Sequence, residues 1–454
     1  MASSSRFHWH RNSWTLPLAV ALIGIYFPAA TAQDVAMPVA PAPEVPAVTA
    51  SFLALSDIHY TAQTGQTCGQ SGYETDPTLW AAAQAEAQRV IQAEHPAFAI
   101  YLGDLPSHCD GHPLTEFTVA LDGLAAIVGS GTKLIYVPGN NDSLDGDYYP
   151  FTSAGGPPLT MSTAWNGNPV LNAQPGDMID ATHLANGYYS AYAVQATTNG
   201  SALRVLALNT NMFTSRYDSQ NGASYQSDTN AQLEWFNAQL KDVRAKHEKV
   251  IIAMHAPPGV DGFGGGTMWN RSLRYTGQDP DLTPGWVQAT FLTIVAGYGP
   301  EIVGLLSSHT HYNEIRRLRD CSRKLPWLGA FTELDVAIPA ITTDHGNNPS
   351  VKLFSYDDKF EWTENRTFYA SNATGAGWDS NAPLSFDSVN YPCPSCAVGD
   401  TLFTRIAALD QGTQVNRSKP LAQLMIKWLK VGAPPPGRTA NYMLALDVNC
   451  QPPQ

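Results

Sequence analysis

Ile302-Val303-Gly304-Leu305-Leu306-Ser307-Ser308-His309-Thr310-His311 is the stretch whose reading decides the fold. Its first five residues form an apolar run, the mark of a buried strand. Side chains two apart on an extended chain point to the same side, so His309 and His311 face one way at the strand end. Two imidazoles placed like this begin a metal site. Alone they would be weak ground, but four earlier stretches supply partners. Leu55-Ser56-Asp57-Ile58-His59 gives Asp57 and His59, and Leu102-Gly103-Asp104 gives Asp104. Pro138-Gly139-Asn140-Asn141-Asp142 gives Asn140, and Ala253-Met254-His255-Ala256 gives His255. Each partner closes its own apolar run, the place where open α/β sheets bind ligands.

Working outward, the runs alternate with helical patterns. Phe52–Ser56 reads as a first buried strand. Asp76-Pro77 is an N-cap with proline behind it. Leu79, Trp80, Ala83, Ala87, Val90 and Ile91 then recur at helical spacing. Phe98–Leu102 is the next strand, which completes a βαβ unit. The same alternation predicts helices over Leu114–Val128, Ala231–Ala245 and Trp286–Tyr298. It predicts strands over Lys133–Val137, Tyr188–Gln195, Leu203–Leu208, Val250–Met254, Val336–Thr342 and Val351–Tyr356. After about residue 360 clear periodicity is lost. Ser143–Asn186 and Gly259–Thr283 read as the walls of a site, since loops of such length are often functional. The glycine cluster Gly262–Gly266 reads as a mobile loop.

The 454 residues carry a net charge of −13, and only 14% of them are charged while 44% are apolar. That suits one large domain with an appendage. The acidic balance argues against a partner that is a nucleic-acid polymer, which calls for a basic stripe. Bound metal ions would still let a phosphate approach. Arg6, His8, His10 and Arg11 precede the apolar Leu16–Ala30, and Ala30-Thr31-Ala32 fits a cleavage site. Residues 1–32 thus read as a signal peptide and the protein as secreted or periplasmic, with no membrane anchor after cleavage. Residues 33–50 are an Ala/Pro-rich linker. Cys68, Cys109, Cys321, Cys393, Cys396 and Cys450 are six in number, which predicts disulfides in an exported chain. Sequons stand at Asn199, Asn270, Asn365, Asn372 and Asn416.

The chemistry follows from the constellation. A dinuclear centre needs a bridging group, and a carboxylate can bridge. Asp104 is assigned that role. Asp57, His59, Asp104 and His311 would hold one ion; Asp104, Asn140, His255 and His309 would hold the other. Mixed nitrogen and oxygen donors suit zinc, iron or manganese. Two such ions can provide a bridging hydroxide and clamp a phosphoryl oxygen for in-line attack.

In this order, Asp-x-His, Gly-Asp, Gly-Asn-x-Asp, a strand-end His and x-His-x-His resemble the calcineurin-like metallophosphoesterases. Leu55–Tyr60, Gly103–His108, Leu208-Asn209-Thr210-Asn211 and Gln232–Phe236 leading to His255–Gly259 are similar to the acid sphingomyelinase-like phosphodiesterase branch. The resemblance covers about residues 51–345. It implies a four-layer α/β/β/α sandwich of two mixed sheets flanked by helices, with a catalytic domain over 51–345. Residues 346–454 become a C-terminal extension packing on it. It also implies zinc dependence and phosphodiester substrates, either nucleotide-type small molecules or lipid headgroups. A phosphoanhydride substrate is the alternative, and a metal-binding protein without turnover the remote one. Asn141 stands where the family usually has the histidine that touches the phosphate, and asparagine cannot give up a proton. His108 matches the last residue of the family's Gly-Asp-x-Pro-x-His stretch and is the candidate general acid.

Overall fold

A computed structural model describes residues 50–387, apart from 69–71, 110, 112, 197–200, 218–223, 262–265, 323–330, 372–373, 376 and 379–381, together with residues 401–408, 445–448 and 450. The expected signal segment 1–32, most of the linker, most of the 262–266 glycine cluster, Cys393 and Cys396 lie outside the described residues. Ala50, assigned to the linker, already opens the first strand.

The first sheet is built around β1 (Ala50–Leu55), β2 (Phe98–Tyr101) and β3 (Lys133–Tyr136), which run parallel. β4 (Val170–Leu171) closes one edge antiparallel to β3. The second sheet contains β5 (Met178–Asp180), β6 (Tyr189–Val194), β7 (Leu203–Leu208), β8 (Lys249–Met254), β11 (Ile302–Ser307), β12 (Ile315–Arg319) and β13 (Phe331–Ala337). Strands β9 (Arg274–Tyr275) and β10 (Gly285–Trp286) form a separate small ribbon. Strands β7, β8, β11 and β13 are mutually parallel in that order. β14 (Ser350–Tyr356), β15 (Trp362–Tyr369) and β16 (Leu384–Phe386) belong to the first sheet, and β17 (Ala445–Val448) to the second.

Alternation in β1 shows how the layers form. Phe52 and Ala54 point into the core between the sheets, where Phe98, Phe354, Val205 and Ile251 meet them. Leu53 and Leu55 point the other way, into a layer with Leu79, Trp80, Phe117 and Leu124. Both faces are buried, so the strand reads as a continuous apolar run. The outer helices on that side are α1 (Pro77–Glu94) and α2 (Leu114–Val128). Asp76 caps α1 by accepting from the Thr78 and Leu79 amides at 2.9 Å. The far face is covered by α3 (Ser224–Lys246) and α4 (Val287–Gly297), through Leu233, Phe236, Phe291 and Val295. The result is the α/β/β/α sandwich.

Two expectations are corrected. Residues 346–386 are not an appendage to the catalytic domain, because β14 pairs with β1 near the middle of the first sheet, Ala50 opposite Tyr356. The strand expected over Val336–Thr342 is instead Phe331–Ala337. Beyond it, Ile338 and Ala340 donate to the carbonyls of Ser307 and His311, while Ile341 and Thr342 donate to those of Ser56 and Asp57. That apolar segment ties the two sheets together at their ligand-bearing ends. The sequon at Asn365 lies on a fully buried side chain in β15, where a glycan cannot be attached.

Candidate metal centre

The C-terminal ends of β1, β2, β3, β8 and β11 converge, and the residues after them carry the predicted ligands. Asp57, His59, Asp104, His309 and His311 all have positive φ, between 47° and 67°. Residues with a Cβ occupy that region only where the surroundings hold them there, and such residues cluster at functional sites. Here the loop backbones are cross-linked: Asp57 donates to the Gly103 carbonyl at 2.9 Å and His59 to that of Asp104 at 3.1 Å. The glycines of Gly103-Asp104 and Gly139-Asn140 have a shared cause. A Cβ on Gly103 would run into the Gly139 amide, and one on Gly139 into the Asp104 carboxylate. Asp142, the last residue of that motif, accepts from the amides of Asp104, Leu105 and Gly139 and from the Tyr136 hydroxyl.

Asp104 Oδ2 lies 3.4 Å from His59 Nε2 and 3.1 Å from His255 Nε2. It therefore stands between two groups of donors. On one side His311 Nε2 is 3.5 Å and His59 Nε2 3.9 Å from Asp57 Oδ1. On the other, His255 Nε2 is 3.0 Å from Asn140 Oδ1 and 3.2 Å from His309 Nδ1. Carbonyls fix the imidazoles: His59 Nδ1 donates to Pro106 O at 3.0 Å and His255 Nδ1 to Leu102 O at 2.6 Å. This orients Nε2 inward in both, the arrangement metal-ligating histidines usually show. Both Asp57 oxygens and His59 Nε2 are buried without a hydrogen-bond partner. Orphaned buried polar atoms are costly unless something fills the space between them. The donor set and the orphaned atoms fit divalent metal ions.

Electrostatics agree with that reading for His59 and His309, but not for His255: burial opposes its charge, yet the Asp104 charge and hydrogen bond raise it to about 9. Burial, joined by repulsion from His108, holds His59 well below the usual imidazole value. Burial and the neighbouring His255 push His309 down to about 3. Neutral imidazole is the ligating form. Burial, joined by repulsion from Asp104, pushes Asp57 up to about 7 against the pull of His255.

Of the two catalytic candidates, only His108 faces the cavity. That cavity holds about 300 Å³ and is lined by Asp104, Asn140, His309, His311 and His108 among others. The His108 ring stacks on His59 at 3.8 Å, and its Nδ1 is 3.0 Å from Glu74 Oε1. Burial opposes its charge, but the Glu74 hydrogen bond and the Glu74, Asp344 and Asp104 charges raise it to about 9. Asn141 is not among the lining residues. Its amide nitrogens, backbone and side-chain, donate to Asp104 Oδ1 at 2.9 Å and Oδ2 at 3.1 Å. It orients the Asp104 carboxylate.

Sequence reasoning missed several cavity residues. His345, at φ 60°, packs edge-on against His311 at 4.9 Å and lies 3.2 Å from Asp344. Asp147 and Tyr148 come from the expected wall 143–186, and Asp261, Thr267 and Met268 from the wall 259–283. Thr214, Ser215 and Arg216 come from a third loop that had not been singled out. An Asp-His pair just past an apolar run was the available signal for His345.

Fold and centre together define a metal-dependent phosphoesterase sandwich. The family model described as calcineurin-like phosphoesterase matches residues 50–313, more than half of the chain, and the chain belongs to that family. The human protein named cyclic GMP-AMP phosphodiesterase SMPDL3A is 24% identical over 274 residues, covering 59% of this chain and 54% of that protein. Sphingomyelin phosphodiesterase A of Dictyostelium discoideum is 23% identical over 286 residues, covering 62% and 42%. The chain thus spans about half the length of these curated relatives. A solved dimetal phosphatase from Danio rerio aligns over 71% of this chain and 96% of its own, at 13% identity and a TM-score of 0.43. Among the described residues no helix is long and apolar enough to cross a membrane.

Proposed function

We infer that the chain is an exported phosphodiesterase working with two divalent metal ions. Asp57, His59, Asp104 and His311 hold one; Asp104, Asn140, His255 and His309 hold the other. The observation that carries this is the place of Asp104 Oδ2, 3.4 Å from His59 Nε2 and 3.1 Å from His255 Nε2, beside an Asp57 whose two oxygens have no hydrogen-bond partner. When bound, such ions supply a nucleophile near neutral pH and positive charge for the phosphoryl oxygens. The nitrogen and oxygen donors favour zinc, with iron or manganese also compatible. His108, held at Nδ1 by Glu74, has Nε2 left to protonate the departing oxygen. Asn141 keeps Asp104 in its bridging orientation.

The relatives' names support a diester, a cyclic dinucleotide in one case and sphingomyelin in the other. A phosphoanhydride substrate is the second reading, favoured by the Asn141 amide being committed to Asp104. The site then has one proton donor fewer, and an anhydride needs little acid help. Export is supported by the basic and apolar N-terminal pattern and by the Cys68–Cys109 and Cys321–Cys450 disulfides. Hydrolysis of bis-p-nitrophenyl phosphate, p-nitrophenyl phosphate, nucleoside triphosphates and polyphosphate, with and without chelator, tests the function. Chelator-sensitive turnover of at least one ester is the expected result. No turnover after loading with zinc, manganese or iron would refute it.

A further inference from the structure

Arg216 supplies the single Lys or Arg side chain among the described residues that line the cavity. Its position is built rather than incidental. The preceding turn, Thr210–Phe213, is fixed by Thr210 Oγ1 donating at 2.8 Å to the carbonyl of Ala256, next to the ligand His255. Thr214 is held by the Tyr225 hydroxyl on its carbonyl at 3.1 Å, and Tyr217 behind it is buried. The backbone is therefore anchored while the Arg216 side chain is 75% exposed.

The guanidinium sits 5.5 Å over the Tyr148 ring and 3.7 Å from Asp147 Oδ2. Both neighbours lead to the same half of the centre. The Tyr148 hydroxyl is 3.3 Å from His309 Nε2, and Asn140 Nδ2 donates to Asp147 Oδ1 at 2.7 Å. Arg216 thus stands one side chain away from His309 and Asn140. Its ion pair with Asp147 is longer than a direct charge-assisted hydrogen bond, and an oxyanion entering the cavity can draw the guanidinium inward. A choline-like cation would want the open face of an aromatic ring. Tyr148 is the one Phe, Tyr or Trp among the described lining residues, and Arg216 already lies over its ring.

On the phosphoesterase reading above, we propose that Arg216 binds a second, uncleaved anionic group of the substrate on the His309–Asn140 side. The site then selects substrates carrying a further phosphate next to the scissile one over substrates with a cationic head group. The second phosphate can belong to a nucleotide or to an inorganic chain.

The test compares wild type with Arg216→Ala, Arg216→Lys and Arg216→Glu, each loaded with metal. The substrates are ATP, inorganic tripolyphosphate, bis-p-nitrophenyl phosphate and p-nitrophenylphosphorylcholine. For Arg216→Ala, kcat/KM on the substrates with a second phosphate should fall about tenfold relative to bis-p-nitrophenyl phosphate, the lower end for a charge-assisted hydrogen bond. The loss should sit in KM, because the contact is to a non-reacting group. Arg216→Lys should restore part of it, and Arg216→Glu should move the preference toward the phosphorylcholine ester. A fall on ATP alone assigns the second anion to a nucleotide; a fall on both assigns it to any phosphate chain. Equal losses on all four substrates, or none on either phosphate chain, would overturn the inference while leaving the phosphoesterase reading intact. Wild-type inactivity on all four would overturn both.

Discussion

Asp104 is the residue on which the centre turns, because one of its oxygens lies between both donor groups. Asp104→Asn and His309→Ala should each lower bound metal from about two ions per chain and abolish hydrolysis together, measured by elemental analysis and rate on the same sample. Full activity in a metal-free sample would remove the assignment. Gly139→Ala should do nearly as much damage without touching a ligand side chain, since its Cβ would press on the Asp104 carboxylate. Metal content in a folded sample, checked by circular dichroism, decides that point. His108→Ala should cut turnover of an alkyl phosphodiester by ~10²–10⁴-fold, the usual worth of general acid help, and of a p-nitrophenyl ester far less. Equal losses on the two would make His108 a phosphate-positioning group. The seven ligand candidates were legible because each ends an apolar run. Arg216 was not, because it stands in a loop whose path depends on distant partners, and spacing along the chain carries no trace of that; His345 left only the Asp-His pair past an apolar run.

At the scale of elements, buried strands announced themselves where both faces are apolar, as in β1, β2 and β8. β12 did not, since its Ile-Arg-Arg-Leu-Arg reads as a solvated stretch. In the fold Arg316 is fully buried, with Nη2 2.6 Å from Glu314 Oε2, so an internal ion pair hides a strand inside charged sequence. β15 was lost for a similar reason: Asn365 and Thr367 face inward. Next to β12, Asp335 of β13 accepts from Ser307 Oγ at 2.9 Å, in the strand that delivers His309 and His311. Burial pushes Asp335 up to about 6, against the pull of Arg316 and Ser307. The folded state therefore holds this proton more tightly than the unfolded chain does. Between the ordinary carboxylate value and about 6, the native state binds more protons, so stability from this group falls as pH rises through that window. Asp335→Asn removes the proton exchange. Its stability relative to wild type should be greater at pH 7 than at pH 4.5, read from denaturant midpoints. A pH-independent difference would contradict the sign.

Over the whole molecule, the proposed metal centre lies where the ligand-bearing ends of two sheets that share one core meet. Ligands that bind only the folded state stabilise it by mass action, about 4 kcal/mol at a thousandfold excess over Kd. Exhaustive chelation should therefore lower Tm by roughly 5–10 °C for a chain of this size, reversed by adding zinc. An unchanged Tm would mean that the sheets hold the orphaned Asp57 carboxylate at no cost. The pairing of β1 with β14 has a further consequence, in time rather than space. The first described strand finds one neighbour, β2, within about fifty residues, but the other only when Tyr356 has been made. Long-range pairings of this kind form slowly. During synthesis the emerging β1 edge stays uncovered until some three-quarters of the 454 residues have left the ribosome. A chain read as exported gains from this, because a polypeptide that cannot finish folding early remains threadable through a translocation pore.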